Sequence, residues 1–227
     1  MVQSETAIRR NLVDDAYATL RRRIIENTYG GGESVLEAQL ALELGMSRTP
    51  TREALARLEA EGWISVLPRR GMQVRPLTGR YVREVNEVLA SLEAQAAERL
   101  ARRKPGAAEI AILDAAIAGM DEALAQSDMK AWAEADYRFH AAIIDLCGNA
   151  TLAETARRFL DQAHRFRLLT LELRGKPVYS NANHAAVVEA IRRHDAETAA
   201  DIHWSHKRRW GRELDRLIEA ARLPPGD

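Results

Sequence analysis

The sequence predicts a mainly α chain: an N-terminal winged helix-turn-helix with a small β-hairpin wing, followed by an all-α antiparallel helical bundle. Three observations carry this. A glycine divides two apolar-periodic segments between Leu36 and Leu58, two short β-prone runs flank Pro68-Arg69-Arg70-Gly71, and from about residue 79 the chain is Ala-, Leu- and Arg-rich with helical periodicity. The stretch Val74-Arg75-Pro76-Leu77-Thr78-Gly79 combines Pro and Gly after the second β-prone run. The boundary is therefore expected at about residue 78, giving domains 1–78 and 79–227.

Leu36 to Leu44 consists of helix formers, with Leu36, Leu40 and Leu44 at i, i+4 and i+8 on one side. Gly45 tolerates the positive φ that ends such a helix. Ser47 is placed to cap the next helix through its hydroxyl, and Pro50 falls in the first turn, where a missing N–H costs little. A second helix thus starts near Arg48. At about 100° per residue, Ala54, Leu55 and Leu58 gather on one arc, and Arg48, Thr49 and Arg52 on the adjacent one. One arc packs; the other carries arginines able to grip guanine or phosphate, beside short hydroxyl side chains at a helix N-terminus. A surface helical hairpin with solvated arginines is the competing reading of this window alone.

After Glu61-Gly62 come Trp63-Ile64-Ser65-Val66-Leu67 and Met72-Gln73-Val74, joined through Pro68-Arg69-Arg70-Gly71. A hairpin directly after such a helix is a wing, with Arg69 and Arg70 at its tip to enter a minor groove or hold phosphates. A solvated turn is the alternative for these two residues. Beyond the boundary, helices are expected at about 79–103, 107–126, 129–147, 150–174, 182–194 and 196–221. The short connections between them imply an antiparallel bundle. The Pro224-Pro225-Gly226 tail is expected to fray.

Charge does not point to nucleic acid. The chain holds 33 basic and 33 acidic residues, and residues 1–78 hold 11 arginines against 10 acids. The DNA reading rests on where the arginines sit. With 227 residues, 46% of them hydrophobic, the chain can build two cores. Cys147 is a lone cysteine and reads as a small core residue; no run reaches the roughly 18 apolar residues of a membrane helix. An apolar signal core is also missing at the N-terminus, so the expected place is the cytoplasm, away from any membrane.

The helical half holds a second constellation. Asp136 and His140 are i and i+4, on the face that continues through Ile143, Ile144 and Cys147. His184 shares its face with Val188 and Ile191; His206 lies between Ile202 and Trp210 on another apolar stripe. A single inward histidine is usually a satisfied core residue. Three that converge with an aspartate can share one divalent cation, whether Zn, Ni, Mn or Fe.

The segments Glu37 to Leu44, SRTPTREALARLEAEGWI and the RRG hairpin resemble the winged helix of GntR-family bacterial transcription regulators over residues 12–76. Gly31-Gly32 departs from the family's usual Pro-Gly. The resemblance implies that Ser47, Arg48, Thr49, Thr51, Arg52 and the wing tip Arg69, Arg70 and Gly71 touch DNA. DYRFH, the following CGN and NHAAVVEAIRRHDAETAADIHWSH resemble the FCD ligand-binding domain of the FadR subfamily. That likeness implies a metal held by Asp136, His140, His184 and His206, with His203 a lesser candidate and neither His164 nor His194 given a role. It also implies a small carboxylate effector near Glu93 and Asn149, although Leu89 stands where an arginine is common. The function expected is a homodimeric regulator, a repressor, whose affinity for a palindromic operator is set by that acid. The rivals are a purely structural metal and a metal-dependent hydrolase; the latter lacks a nucleophile or extra general base beside the ligands.

Overall fold

The computed structural model describes residues 2–67 and 71–226, without the side chains of residues 2–10 and 212. It divides into two compact units, Met1–Leu77 and Thr78–Asp227.

The first unit is built from α1 (Val2–Ile25), β1 (Ser34–Val35), α2 (Glu37–Leu44), α3 (Arg48–Ala60), β2 (Ile64–Leu67) and β3 (Gly71–Val74). Its core gathers Leu20 and Ile24 of α1, Leu40 of α2, Leu55 and Leu58 of α3, and Trp63, Ile64, Met72 and Val74 of the wing. Ala16, Leu20 and Ile24 are fully buried at i, i+4 and i+8, which is why α1 forms the third wall of this core. The sheet runs β1-β3-β2, all antiparallel, with Gln73 opposite both Ser34 and Ser65. Strand β1 adds two residues to the expected hairpin. Gly45 ends α2 at φ 64°, in the left-handed region. Leu36, expected on the inner face of α2, is instead its N-cap residue and half exposed, so the stripe starts at Leu40.

The second unit holds α4 (Gly79–Arg102), α5 (Ala107–Ala125), α6 (Met129–Leu146), α7 (Ala150–Leu169), α8 (Val178–Arg192) and α9 (Ala196–Ala220). Side chains cap four of them: Thr78 accepts from Tyr81 N–H, Asp128 from Ala131, Asn149 from Leu152 and Asp195 from Thr198. Each cap saturates a backbone donor that the first turn leaves without an intrahelical acceptor. α7 stops five residues earlier than its periodicity suggests, because Thr170 turns its hydroxyl back on the Phe166 carbonyl and a short 3₁₀ turn, Leu171–Leu173, follows. The Pro224 and Pro225 carbonyls accept from Gly79 and Arg80 N–H at 2.8 and 3.1 Å. The tail expected to fray is therefore ordered by closing the start of α4. His194 is the left-handed residue after α8, at φ 60°.

The core of this unit runs from Leu89, Ala96 and Leu100 through Leu113 and Met120 to Trp132, Phe139, Ile143, Val187 and Ile191. Alanines are frequent among the buried residues of α4 (Ala90, Ala96, Ala97, Ala101) and α6 (Ala133, Ala135, Ala141, Ala142). Cys147 is buried within this core.

Candidate nucleic-acid interface and metal centre

In the first unit the outer side of α3 presents Ser47, Arg48, Thr49 and Arg52, all exposed. Thr51 leaves the expected DNA-facing set. It is fully buried, at i−3, i−4 and i−7 from Ala54, Leu55 and Leu58, and its hydroxyl donates to the Ser47 carbonyl at 3.0 Å. Ser47 occupies the N-cap position at φ −72° and ψ 164°, but its side chain makes no capping hydrogen bond. Arg52 is held in a fork by Glu37 of α2: Nε to Oε2 is 3.0 Å and Nη2 to Oε1 is 2.7 Å. An exposed pair of this kind adds little stability, yet it fixes the direction of the guanidinium. Arg69 and Arg70 lie outside the described residues. Gly71 opens β3 at φ 76°, where a Cβ would collide with the Val35 carbonyl and the backbone of Leu36 and Glu37. The wing glycine is thus required by backbone packing, whatever else it touches.

In the second unit five helices deliver side chains to one buried line. α6 supplies Asp136 and His140, α8 His184, α9 His203, His206 and Lys207, α4 Glu93 and α7 Arg167. His184 Nε2 lies 3.1 Å from Asp136 Oδ1, and His140 Nε2 3.7 Å from Asp136 Oδ2. On its other side His140 Nδ1 is 3.0 Å from Glu93 Oε1. The second Glu93 oxygen, Oε2, meets His203 Nε2 at 3.3 Å and Lys207 Nζ at 2.6 Å. Two overlapping groups result, Asp136-His140-His184 and Glu93-His140-His203, each with its donor atoms within 4.8 Å of one another. The His206 ring stands edge-on to His184 at 5.2 Å between centroids, outside both groups. His164 packs locally against Tyr137, centroids 4.6 Å apart.

The electrostatics suit a cation. Burial pushes the His140 imidazole down to about 3, against the pull of Glu93, and His206 down to about 2. Burial lowers His203 as well. These imidazoles are neutral at pH 7, the form that ligates a metal. Burial would raise both carboxyls, but His140 and Lys207 hold Glu93, and Arg167 and His140 hold Asp136, well below the usual carboxylate range. Asp136 Oδ2, His140 Nδ1 and Glu93 Oε1 are buried, and although each has an ionisable neighbour, none makes a hydrogen bond of proper geometry among the described residues. Ionised oxygens and neutral imidazoles with unused lone pairs, packed together out of water, fit a divalent cation.

A cavity of about 560 Å³ opens onto this cluster, lined by Asp136, His140, Arg167, Arg174, Lys207 and Trp210 among others. Neither Glu93 nor Asn149 is on its wall. Glu93 is fully buried behind His140, and Asn149 is committed to capping α7. Leu89 is a core residue of α4; the cations that face the cavity come from α7, α9 and the segment after α7. Sequence reading missed Arg167, Arg174 and Lys207 because arginine and lysine are normally solvated, and nothing local shows which of 33 point inward.

A family model described as "Bacterial regulatory proteins, gntR family" matches residues 12–74, and the FCD domain model matches residues 84–209. The chain belongs to the GntR family, with an FCD domain as its helical half. An Agrobacterium vitis protein described as an uncharacterized HTH-type transcriptional regulator in the TAR-I ttuE-ttuC' intergenic region is 40% identical over 58% of this chain and 78% of its own length. An Escherichia coli protein described as a putative L-lactate dehydrogenase operon regulatory protein is 30% identical, over 95% of this regulator and 93% of its own length. Among solved structures, E. coli McbR/YncC superposes with a TM-score of 0.79 at 22% identity, covering 90% of this chain and 97% of its own, a likeness of fold. This GntR-family protein is a DNA-binding transcription regulator, and its relatives are regulators rather than enzymes. Among the described residues no helix is long and apolar enough to cross a membrane.

Proposed function

We propose that this GntR-family regulator is a homodimeric cytoplasmic repressor whose affinity for a roughly palindromic operator is set by a small carboxylate bound in the FCD domain beside a divalent metal. The observation that carries the reading is the cationic cavity opening onto Asp136 and His140 in the unit that does not hold the DNA-reading helix. The E. coli relative is named for an L-lactate dehydrogenase operon, a system handling a small hydroxy acid, which supports the ligand class.

On the DNA side, Arg48, Thr49 and Arg52 at the start of α3 would face base edges and phosphate, with the wing tip Arg69-Arg70 adding groove or phosphate contacts. A dimer presents two such helices, hence the two half-sites. In the FCD domain, Asp136, His140 and His184 would hold Zn, Ni, Mn or Fe, with His206 the nearest further imidazole. Such a metal supplies a Lewis-acid point for carboxylate or hydroxyl oxygens. The chain's own contribution is to keep its imidazoles neutral, to pin Asp136 with Arg167, and to place cations where an acid enters. An acid that binds one conformation of the FCD domain more tightly shifts the population by at most that difference in affinity.

The test joins three readouts on the purified full chain: metal content, melting temperature, and binding to an operator selected from a random DNA library. His184→Ala is expected to lose metal and melt lower than wild type. Candidate acids are expected to raise the melting temperature and change operator affinity together. A response to chelator with no response to any acid would leave only a structural metal.

A further inference from the structure

The cavity holds more cationic surface than one carboxylate needs, and it is spread along the wall. Near the metal-type donors, Arg167 Nη2 lies 2.8 Å from Asp136 Oδ2, while its Nη1 is buried without a hydrogen-bond partner among the described residues. Farther along the chain Arg174 is held by Thr170 Oγ1, at 3.0 Å from Nε and 2.9 Å from Nη2, and stacks on Trp210 with its guanidinium 4.5 Å from the ring centroid. Among the described residues no carboxylate bonds Arg174. The nearby Glu213 is engaged by Arg216 instead. Arg209, on the same wall, donates to the Asn183 amide oxygen at 3.0 Å and to no carboxylate among the described residues. Lys207 is already committed to Glu93.

Two positions on the wall therefore offer guanidinium donors that no carboxylate among the described residues satisfies: Arg167 Nη1, on the far side of the group from its Asp136 pair, and Arg174 with Arg209 beside Trp210. Arg167 and Arg174 are largely withdrawn from water and keep their charge, so their burial is compensated when an anion completes their hydrogen bonds, with the exposed Arg209 adding a donor at the cavity mouth. We propose that the ligand of this cavity is a diacid, one carboxylate held at Arg167 and the other at Arg174 and Arg209, with its carbon chain along Trp210. This rests on the cavity being the effector site, as proposed above.

The experiment uses the whole 227-residue chain as purified, by calorimetric titration and melting temperature. The probes are four-carbon diacids carrying zero, one and two hydroxyls (succinate, malate, tartrate) and the matching monoacids butyrate and 3-hydroxybutyrate. At least one diacid is expected to bind tenfold or more tightly than its monoacid counterpart. In Arg174→Gln, and in the exposed Arg209→Gln should the first variant not fold, that preference is expected to shrink to threefold or less. Equal affinity for monoacids and diacids overturns the two-anion inference and leaves the effector site standing. An unchanged preference in a folded variant overturns the assignment of the second carboxylate to these arginines. Failure of every acid to bind removes the effector-site reading itself.

Discussion

Lys207→Met removes the ammonium that sits 2.6 Å from Glu93 Oε2, where Glu93 is fully buried and the Lys207 side chain is only 7% exposed. The remaining neighbours, His140 and His203, are held neutral by burial and bring no charge; only His203 is in hydrogen-bond contact with the Glu93 carboxylate. Breaking a buried ion pair from one side costs about 3–5 kcal/mol, and for a unit of this size each kcal/mol shifts the midpoint by about 2–4 °C. Lys207→Met is thus expected to lower the melting temperature at pH 7 by on the order of 10 °C. The double variant Glu93→Gln/Lys207→Met removes the stranded charge and is expected to recover most of the loss. The sign with pH is fixed by the direction of the Glu93 shift. Its folded-state value is depressed below the ordinary 4.5, so its stabilisation is present above that value and fades as pH falls through the folded one. The penalty of Lys207→Met should therefore be largest at neutral pH and shrink toward acid. Circular dichroism melts of wild type and the two variants at pH 7 and pH 4.5 measure all of this. A Lys207→Met melt within 2 °C of wild type at pH 7, or a double variant no better than the single, would refute the reasoning.

Arg52→Ala should weaken operator binding about fivefold or more, because a guanidinium reading guanine is worth about 1–3 kcal/mol, while the melting temperature stays put since its Glu37 pair is exposed; fluorescence anisotropy with labelled operator checks it, and unchanged affinity removes Arg52 from the interface. Thr51→Val should behave oppositely, costing about 1 kcal/mol through the lost bond to the Ser47 carbonyl and leaving the base preference of the operator intact; a changed preference in a selection experiment would return Thr51 to the DNA surface. Metal-free protein should lose stability as pH falls below 6.5, since His140 and His206, depressed to about 3 and about 2, stay neutral when folded and gain protons only when unfolded. Each contributes up to about 1.4 kcal/mol per pH unit in that window and nothing above it, so melting temperatures should be flat from pH 7 to 8 and fall by pH 5; a flat profile down to pH 5 contradicts it.

Much of the fold is legible because local rules agree with one another. Gly45 breaks a helix pair, the apolar arc of Ala54, Leu55 and Leu58 marks the inside of α3, and Gly71 marks the turn that only a Cβ-free residue fits. Where a segment is short or its signal is nonlocal, the reading weakens. β1 is two residues long and exists only through its pairing with β3. The Pro224-Pro225 tail is ordered by donors on α4, more than a hundred residues earlier in the chain. Thr51 looks like its neighbours Thr49 and Arg52 until the helix phase is checked residue by residue.

The sequence by itself determined that this is a winged helix-turn-helix joined to a helical bundle, and that Asp136 and His140 share an inward face. Helical periodicity, capping residues and the i, i+4 rule are properties of neighbouring residues, and neighbours are what a sequence records. Only the tertiary structure decided which residues from five separate helices meet. It set Glu93 behind His140, brought His203 within 3.3 Å of Glu93, left His206 beside His184, and turned Arg167 and Arg174 toward one cavity. The physical reason is rotation and register: which faces of separate helices meet depends on how their side chains interlock in three dimensions, and no local pattern in the chain records that choice.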